Sequence, residues 1–500
     1  MVKITNSAML LGFASIFSAW SGAAAVNPVG PGERPGSSPI ELIGLEGVGR
    51  VPATALDPRR TERGLPQDTL GGFGSAFAVD HKSLVRGADG TISGTMYVLP
   101  DRGAGDGAQD YRPRVVVCDF RFSPKPLGAV TQDQFVLMPQ RSIFFGDATG
   151  QAFTGADADD VASVDVPRSA LFSPGRGRRS LDPEGLVLTR NEEGAVDGYY
   201  VSDEYGPFVY RFDARGNLKA TLSPSPAAIP TIDGAAAFSS KATPTWGRRG
   251  NRGLEALTIS PDGTRLIGAM QSPLMQDAGD ENDARWCRIY VWDVTPAGNG
   301  ALVGEYVWPL ARYAEGKKGK PRNAPQSEML ALDSQTLLVL ERDNLGRGSD
   351  KPDAPLYKNV NIVSLAGATN ILALPYSKAQ ADGGKAFGNT ELPSGIVAAG
   401  HTPWLSLLDS SDLNKFGLNT KGAADADGNS LGEKWESLAI IPTMEPGKDR
   451  EAFLITANDN DFKAPIVLHN GVVVGAVEPA VDSLFLVYRV RLSVPPAGAK

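Results

Sequence analysis

Residues 182–218 read DPEGLVLTRNEEGAVDGYYVSDEYGPFVYRFDARGNL, from Asp182 to Leu218. An acidic residue and a glycine, Glu184-Gly185, open a short apolar run. A turn follows, then a second run that ends in polar residues (DGYYVSDEYG, Asp197 to Gly206), then a third, FVYRFD, that ends at Asp213. Short runs rich in β-branched and aromatic residues, without helical periodicity, read as antiparallel strands. The turn Asp213-Ala214-Arg215-Gly216 has hairpin chemistry, as does Ser260-Pro261-Asp262-Gly263 further on.

The opening phrase recurs. Glu184-Gly185-Leu186, Glu255-Ala256-Leu257, Glu328-Met329-Leu330 and Glu436-Ser437-Leu438 are copies, and Ser75-Ala76-Phe77 is a degenerate one. Two spacings, 71 and 73 residues, set the basic unit; the longer ones, 108 and 109, imply insertions or a further, unrecognised unit. Later runs repeat the rest of the pattern: TLLVLERDN and AFLITANDND as second strands, RIYVWD, NVNIVS and FLVYRVR as third ones. The expectation is an all-β fold, a single β-propeller of about six blades (five to seven). Each blade has four antiparallel strands, and the blades surround a central channel. Five units are visible. Residues 41–53, ELIGLEGVGRVPA, read as an outer strand that closes the ring against the C-terminal LFLVYRVRLS, which removes an open edge. Stretches 121–180 and 366–430 fit the unit least well and read as surface excursions.

Composition supports this plan. The 500 residues include 57 Gly and 37 Pro, high for a helical bundle and natural for turn-dense β structure. A net charge of -8 argues against nucleic acid or anionic lipid as partner. Two Cys exclude a disulfide scaffold and three His argue against a multi-His zinc site, whereas 57 Asp plus Glu favour oxygen-ligand metal chemistry. Cys118 and Cys287 lie in similar strand-like runs and read as two separate buried thiols rather than a bridge. Lys3, the apolar run Met9 to Trp20 and Ala23-Ala24-Ala25 form a signal peptide over residues 1–25. Residues 26–40 are a flexible lead-in and 41–495 the propeller domain. No other apolar stretch is long enough to span a bilayer. The expected product is secreted, or periplasmic in a diderm bacterium.

Residues Asp182 to Leu218 together with Asn251 to Leu266 (NRGLEALTISPDGTRL) resemble the phytase-like β-propeller family, "esterase-like activity of phytase". The phrases LERDN and EKWESLAI fit the same pattern, and the resemblance runs from about Gly71 to Arg491. It implies a hydrolase of phosphate esters or diesters and leaves the substrate open.

The charged residues give an independent reading. A propeller's innermost strands face the channel, so Glu184, Glu255, Glu328 and Glu436 are expected around one mouth. Asp101, Asp343 and Asp459, at the ends of second runs, form a second acidic tier. Converging carboxylates repel unless a cation bridges them, and Ca²⁺ takes six to eight oxygens at ~2.3–2.6 Å. These seven are the expected metal ligands. Two Arg-rich loops stand just ahead of blade-start glutamates: Arg176, Arg178 and Arg179 before Glu184, and Arg248, Arg249 and Arg252 before Glu255. Guanidinium binds phosphate bidentately, so these six and Arg342 are expected to bind a small phosphorylated substrate. Asp203 or Glu204 is expected to orient the attacking water. The alternatives are a non-catalytic calcium-binding propeller and a metal-dependent lactonase.

Other motifs compete weakly. Asp425, Asp427, Asn429, Leu431, Glu433 and Glu436 follow EF-hand spacing, but Ser430 stands where that loop needs glycine. Gly428-Asn429-Ser430-Leu431-Gly432 is a formal G-x-S-x-G with Asp459 and His469 following, yet it sits in a polar loop rather than a strand–helix elbow. His81, His401 and His469 are scattered. The protein is expected to be a monomer.

Overall fold

Twenty strands carry the architecture of the computed structural model, which describes residues 38–58, 68–124, 131–158, 173–175, 178–277, 284–315, 320–388 and 391–496. The signal peptide, most of the lead-in, and Arg176 lie outside the described residues. Strand β1 is Ile40–Val51. The first four-stranded group is β2 (Ala76–Arg86), β3 (Ile92–Leu99), β4 (Arg114–Phe122) and β5 (Phe135–Phe144). The second is β6 (Pro183–Arg190), β7 (Val196–Asp203), β8 (Val209–Asp213) and β9 (Leu218–Leu222). The third is β10 (Leu254–Ile259), β11 (Arg265–Met270), β12 (Trp286–Asp293) and β13 (Ala301–Pro309). The fourth is β14 (Gln326–Ala331), β15 (Thr336–Arg342), β16 (Lys358–Ser364) and β17 (Gly400–Ser406). The fifth takes β18 (Lys434–Pro442), β19 (Glu451–Asp459) and β20 (Ser483–Leu492) from the C-terminal end, with β1 as its outer strand.

Within every group consecutive neighbours pair antiparallel. β1 pairs with β20 from Ile40↔Leu492 to Val51↔Ser483, as expected from the two sequences. One parallel bridge, Gly49↔Phe135, joins the first and fifth groups into an eight-stranded sheet, β2-β3-β4-β5-β1-β20-β19-β18. Its end strands β2 and β18 lie side by side, so the sheet nearly closes like a barrel. The first strands of all five groups are neighbours in closed order: β6 with β10, β10 with β14, β14 with β18, β18 with β2, β2 with β6.

The core lies between groups, because each sheet has two apolar faces to cover. Tyr97 and Val117 of the first group pack with Tyr199 and Phe212 of the second, and Phe120 and Phe135 pack with Phe453 and Phe485 of the fifth. The Phe135 and Phe485 rings stack at 4.8 Å, a geometry that adds about 0.5–1.5 kcal/mol beyond burial. Cys118 and Cys287 are buried free thiols in β4 and β12, in line with the sequence.

Candidate functional site

Starts of first strands and ends of second strands meet at one end of the fold, around a cleft of about 310 Å³. Glu184, Glu255 and Glu436 all line it. Each stands at a register irregularity: Glu255 is skipped between Leu254↔Met270 and Ala256↔Ala269, and Glu436 between Trp435↔Asn458 and Ser437↔Ala457. Glu184 and Gly185 are skipped together, between Pro183↔Asp203 and Leu186↔Val201. An unpaired bulge residue bends the strand and re-aims its side chain, which turns these carboxylates into the cleft. In the fourth group the skipped residue is Ser327, and Glu328 pairs in register with Leu340. Glu328 therefore stays out of the cleft. Its Oε1 accepts from Met329 N–H at 2.7 Å and from Leu257 N–H of the neighbouring group at 3.4 Å, tying two first strands together.

The second tier splits in the same way. Asp101, Asp203, Asp343 and Asp459 each accept the N–H two residues ahead, at 2.8, 3.0, 3.3 and 2.6 Å, so one Asx turn repeats in four groups. Asp203 also accepts from Asp182 and Gly206 N–H, and its carboxylate is spent on backbone. Asp343 is buried against Lys358 at 3.0 Å, away from the cleft. Asp101 and Asp459 do converge, with Asp461; their carboxylate oxygens lie within 4.8 Å of one another. A second such trio is Asp182, Glu184 and Glu204, all buried. The close approach of Glu204 to the third group needs glycine: a Cβ on Gly253 would stand 2.1 Å from Glu204 O.

Electrostatics make this a high-energy arrangement. Burial raises Glu184 well above the usual carboxylate range, and Glu255, Asp182, Glu204 and Glu436 push it further. Burial and then Glu204 and Glu436 raise Glu255 well above it too, with Arg342 and Gln271 opposing. Asp182 is pushed up to about 7 by burial, against the pull of Arg102, and Asp459 to about 6 by burial, against Lys434. Gln271 donates its amide to Glu255 Oε1, which leaves Glu255 Oε2 and Gln271 Oε1 buried and without hydrogen-bond partners among the described residues. Glu204 Oε1 is in the same state. Buried, unpartnered anionic oxygens are costly, and a hard cation is the natural compensation.

Five cations share the lining: Arg102, Arg252, Arg342, Lys351 and Lys434. Arg342 binds Glu436 and donates to Asn344 Oδ1 at 2.5 Å. Of the other predicted phosphate binders within the described residues, Arg252 alone faces the cleft. Arg248 is fully buried and caps carbonyls, donating to Tyr205 O at 2.8 Å and Phe238 O at 2.5 Å. Arg249 donates to Pro273 O, Arg178 pairs with Asp110, and Arg179 lies 5.9 Å from the Phe153 ring centroid. These loops serve as struts. Sequence reading missed Asp182, Gln271 and Lys434 as cleft groups. Asp182 and Lys434 each precede a bulged glutamate by two residues, a period-2 signal that was available.

The remaining motifs resolve as local structure. Asp427 holds Lys421 Nζ at 2.5 Å, Glu433 pairs with Lys463 and Glu436 points into the cleft, so the EF-hand spacing does not gather around one point. Ser430 donates to Asn419 Oδ1 at 2.7 Å inside a turn. His401 pairs with buried Glu341 at 2.6 Å. His81 lines a separate, mostly apolar cavity of about 1150 Å³ at the other ends of the first strands, with Leu188, Ile259 and Leu330. No helix among the described residues is long and apolar enough to cross a membrane.

The chain is similar to known proteins both in sequence and in solved structure, and one family model matches most of it. An "Uncharacterized secreted protein" of Arthroderma benhamiae is 31% identical over 469 residues, covering 85% of this chain and 88% of its own. Hydrazine synthase of Kuenenia stuttgartiensis overlaps 78% of each chain at 12% identity, with a TM-score of 0.26, too low to bear on fold or chemistry. Residues 69–462 match the model of the phytase-like family, described as "Esterase-like activity of phytase", and the chain belongs to that family.

Proposed function

We propose that the chain is a secreted five-bladed β-propeller that hydrolyses phosphate esters in the acidic cleft, with the help of one calcium-type divalent cation. Five four-stranded groups with first strands in closed order support the propeller, at the low end of the expected blade count. The family description, the secreted relative and the N-terminal leader support an exported phosphoesterase.

One observation carries the chemistry. Glu204 Oε1 and Glu255 Oε2 are buried without hydrogen-bond partners among the described residues, beside Asp182 and Glu184, under a rim of arginine and lysine. All these donors are oxygens, which suits Ca²⁺ or Mg²⁺ over zinc. Asp182, Glu184 and Glu204 would hold the ion, with Gln271 Oε1 as a neutral donor nearby. Such an ion supplies Lewis acidity toward a phosphoryl oxygen.

The protein's own groups do the rest. Arg252, Arg342 and Lys351 bind the non-reacting phosphate oxygens and offset charge that develops on them. Glu255 takes the water-orienting role first assigned to Asp203 or Glu204, because Asp203 is committed to backbone and Glu204 to the cation. Gln271 fixes Glu255 Oε1 and leaves Oε2 to accept the proton of water, and burial raises the proton affinity of this carboxylate. A cleft of about 310 Å³ suits a small phosphorylated substrate and excludes duplex nucleic acid.

The test is release of phosphate from phytate, and of chromophore from mono- and diesters, with calcium and with chelator. Calcium-dependent turnover that inorganic phosphate inhibits is the expected result. Folded, calcium-binding protein that turns over none of these esters sinks the hydrolase and leaves a binding module; turnover of a lactone insensitive to phosphate points to a lactonase.

A further inference from the structure

The two carboxylate trios in the cleft differ in what already sits among them. In the first, Arg102 reaches Asp182 at 2.9 Å, but no lysine or arginine among the described residues pairs with Glu184 or Glu204. In the second, Lys434 Nζ lies 3.2 Å from Asp459 and 3.5 Å from Asp461, and 3.7 Å from Glu436. Its side chain is 25% exposed and lines the cleft. Burial works against its charge. Asp459, Asp461 and Glu436 offset that by surrounding the ammonium with negative charge.

Strand position sharpens the contrast. Asp182 stands two residues before bulged Glu184, and Lys434 two residues before bulged Glu436, each facing the cleft from the start of a first strand. The same place in two groups carries opposite charge: one helps make a cation site, the other supplies a cation.

We propose that Lys434 is a built-in cation seated where a second divalent ion would otherwise bind, and that its ammonium holds an anionic oxygen of the substrate. The second half rests on the reading of the cleft as a phosphate-ester site; the first does not. An ammonium has three donors. One goes to Asp459 at 3.2 Å and a second faces Asp461 at 3.5 Å, with Glu436 at 3.7 Å, so one donor at most is left for a ligand in the cleft. The result is one exchangeable ion and one fixed charge, and a chelator removes only the first.

Bound calcium per chain, counted by equilibrium dialysis, tests the seat. Lys434→Gln is expected to bind one more ion than wild type. Lys434→Arg should show no gain, and Lys434→Gln with Asp459→Asn should lose it. Inorganic phosphate is the probe for the second half: at low calcium, Lys434→Gln weakens its binding about tenfold, the effect of one charge-assisted hydrogen bond. Binding recovers as calcium fills the new seat. A cooperatively folded Lys434→Gln with no extra ion overturns the seat, and unchanged phosphate binding overturns the substrate contact. Should Lys434→Gln not fold, Asp459→Asn frees the ammonium from its nearest partner; phosphate then binds more tightly, or the contact is refuted. The ion count reads independently of turnover, so absence of any hydrolysis would remove the proposed activity without touching the lysine's seat.

Discussion

Arg102 and Asp182 meet twice: Arg102 Nη1 lies 2.9 Å from Asp182 Oδ2, and the Arg102 backbone N–H donates to Oδ1 at 3.1 Å. Both are buried, and they join the end of β3 in the first group to the start of β6 in the second. Removing one partner of a buried pair leaves the other charge uncompensated, at about 3–5 kcal/mol. Arg102→Met is therefore expected to lower unfolding stability by about 3 kcal/mol in urea titration in chelator. Calcium should restore part of the loss, because it gives Asp182 a new partner. A loss that calcium leaves unchanged would place Asp182 outside the cation site.

Asp203 and Glu255 are expected to fail in opposite ways. Asp203→Ala strips acceptors from three backbone N–H groups, those of Asp182, Tyr205 and Gly206. The cost is about 1–3 kcal/mol of stability per unsatisfied group at most, with kcat of the folded fraction little changed. Glu255→Gln keeps shape and the Gln271 contact region but loses the proton acceptor. Here kcat should fall by about 10²–10⁴ with no loss of stability, because a buried unpartnered carboxylate has been neutralised. Steady-state kinetics beside urea titrations separates the two; a stable Glu255→Gln with wild-type kcat would assign the water to another group.

Ring closure gives a prediction remote from the chemistry. Gly49 of β1 abuts β5 so closely that an added Cβ would stand 2.1 Å from Phe135 O. Gly49→Ala must push the two outer strands apart and disturb the Phe135–Phe485 stack. Overpacking of this kind costs about 1–3 kcal/mol. A lower melting temperature with unchanged calcium binding is the expected pair of results, and unchanged melting would mean the single bridge between the groups carries no load.

How much of this was legible depends on what the residues encode locally. The β1–β20 pairing was legible because both runs are apolar and β-rich, at opposite ends of the chain. Glu184, Glu255 and Glu436 were legible through their shared phrase. Glu328 has the same phrase and a different place, because bulge position is a property of backbone register: Ser327 takes the bulge in the fourth group. Likewise Asp101, Asp203, Asp343 and Asp459 share a turn, yet what surrounds each decides whether its carboxylate reaches the cleft. Arg248 shows the limit from the other side. An Arg-rich loop reads as a phosphate site, and only tertiary packing reveals that Arg248 spends its donors on carbonyls such as Tyr205 O and Phe238 O. Asp182 and Lys434 were within reach, since residues two apart on a strand share a face.

The raised carboxyl groups fix the sign of a pH effect that separates metal-free from metal-loaded protein. Asp182 is displaced upward to about 7 and Asp459 to about 6, from an unfolded value near 3.8. A raised carboxyl binds its proton more tightly folded than unfolded, so its stabilising effect is complete below about pH 3.8. That effect drains away as pH climbs through the folded values and is gone above about pH 7. Glu184 and Glu255 are displaced in the same direction and add to the slope. Carboxylates displaced downward, such as Asp213 and Glu451, both to about 2, are ionised throughout this window in either state and do not oppose it. In chelator, unfolding stability should therefore fall between pH 5 and pH 7, by at least about 1 kcal/mol, the equivalent of a single unit of displacement. Saturating calcium prefers the ionised trio, so it should flatten or reverse the slope, and its stabilising effect should grow with pH. Denaturant titrations at four pH values, with and without calcium, measure both slopes. Parallel slopes would mean that calcium binds elsewhere than at these carboxylates.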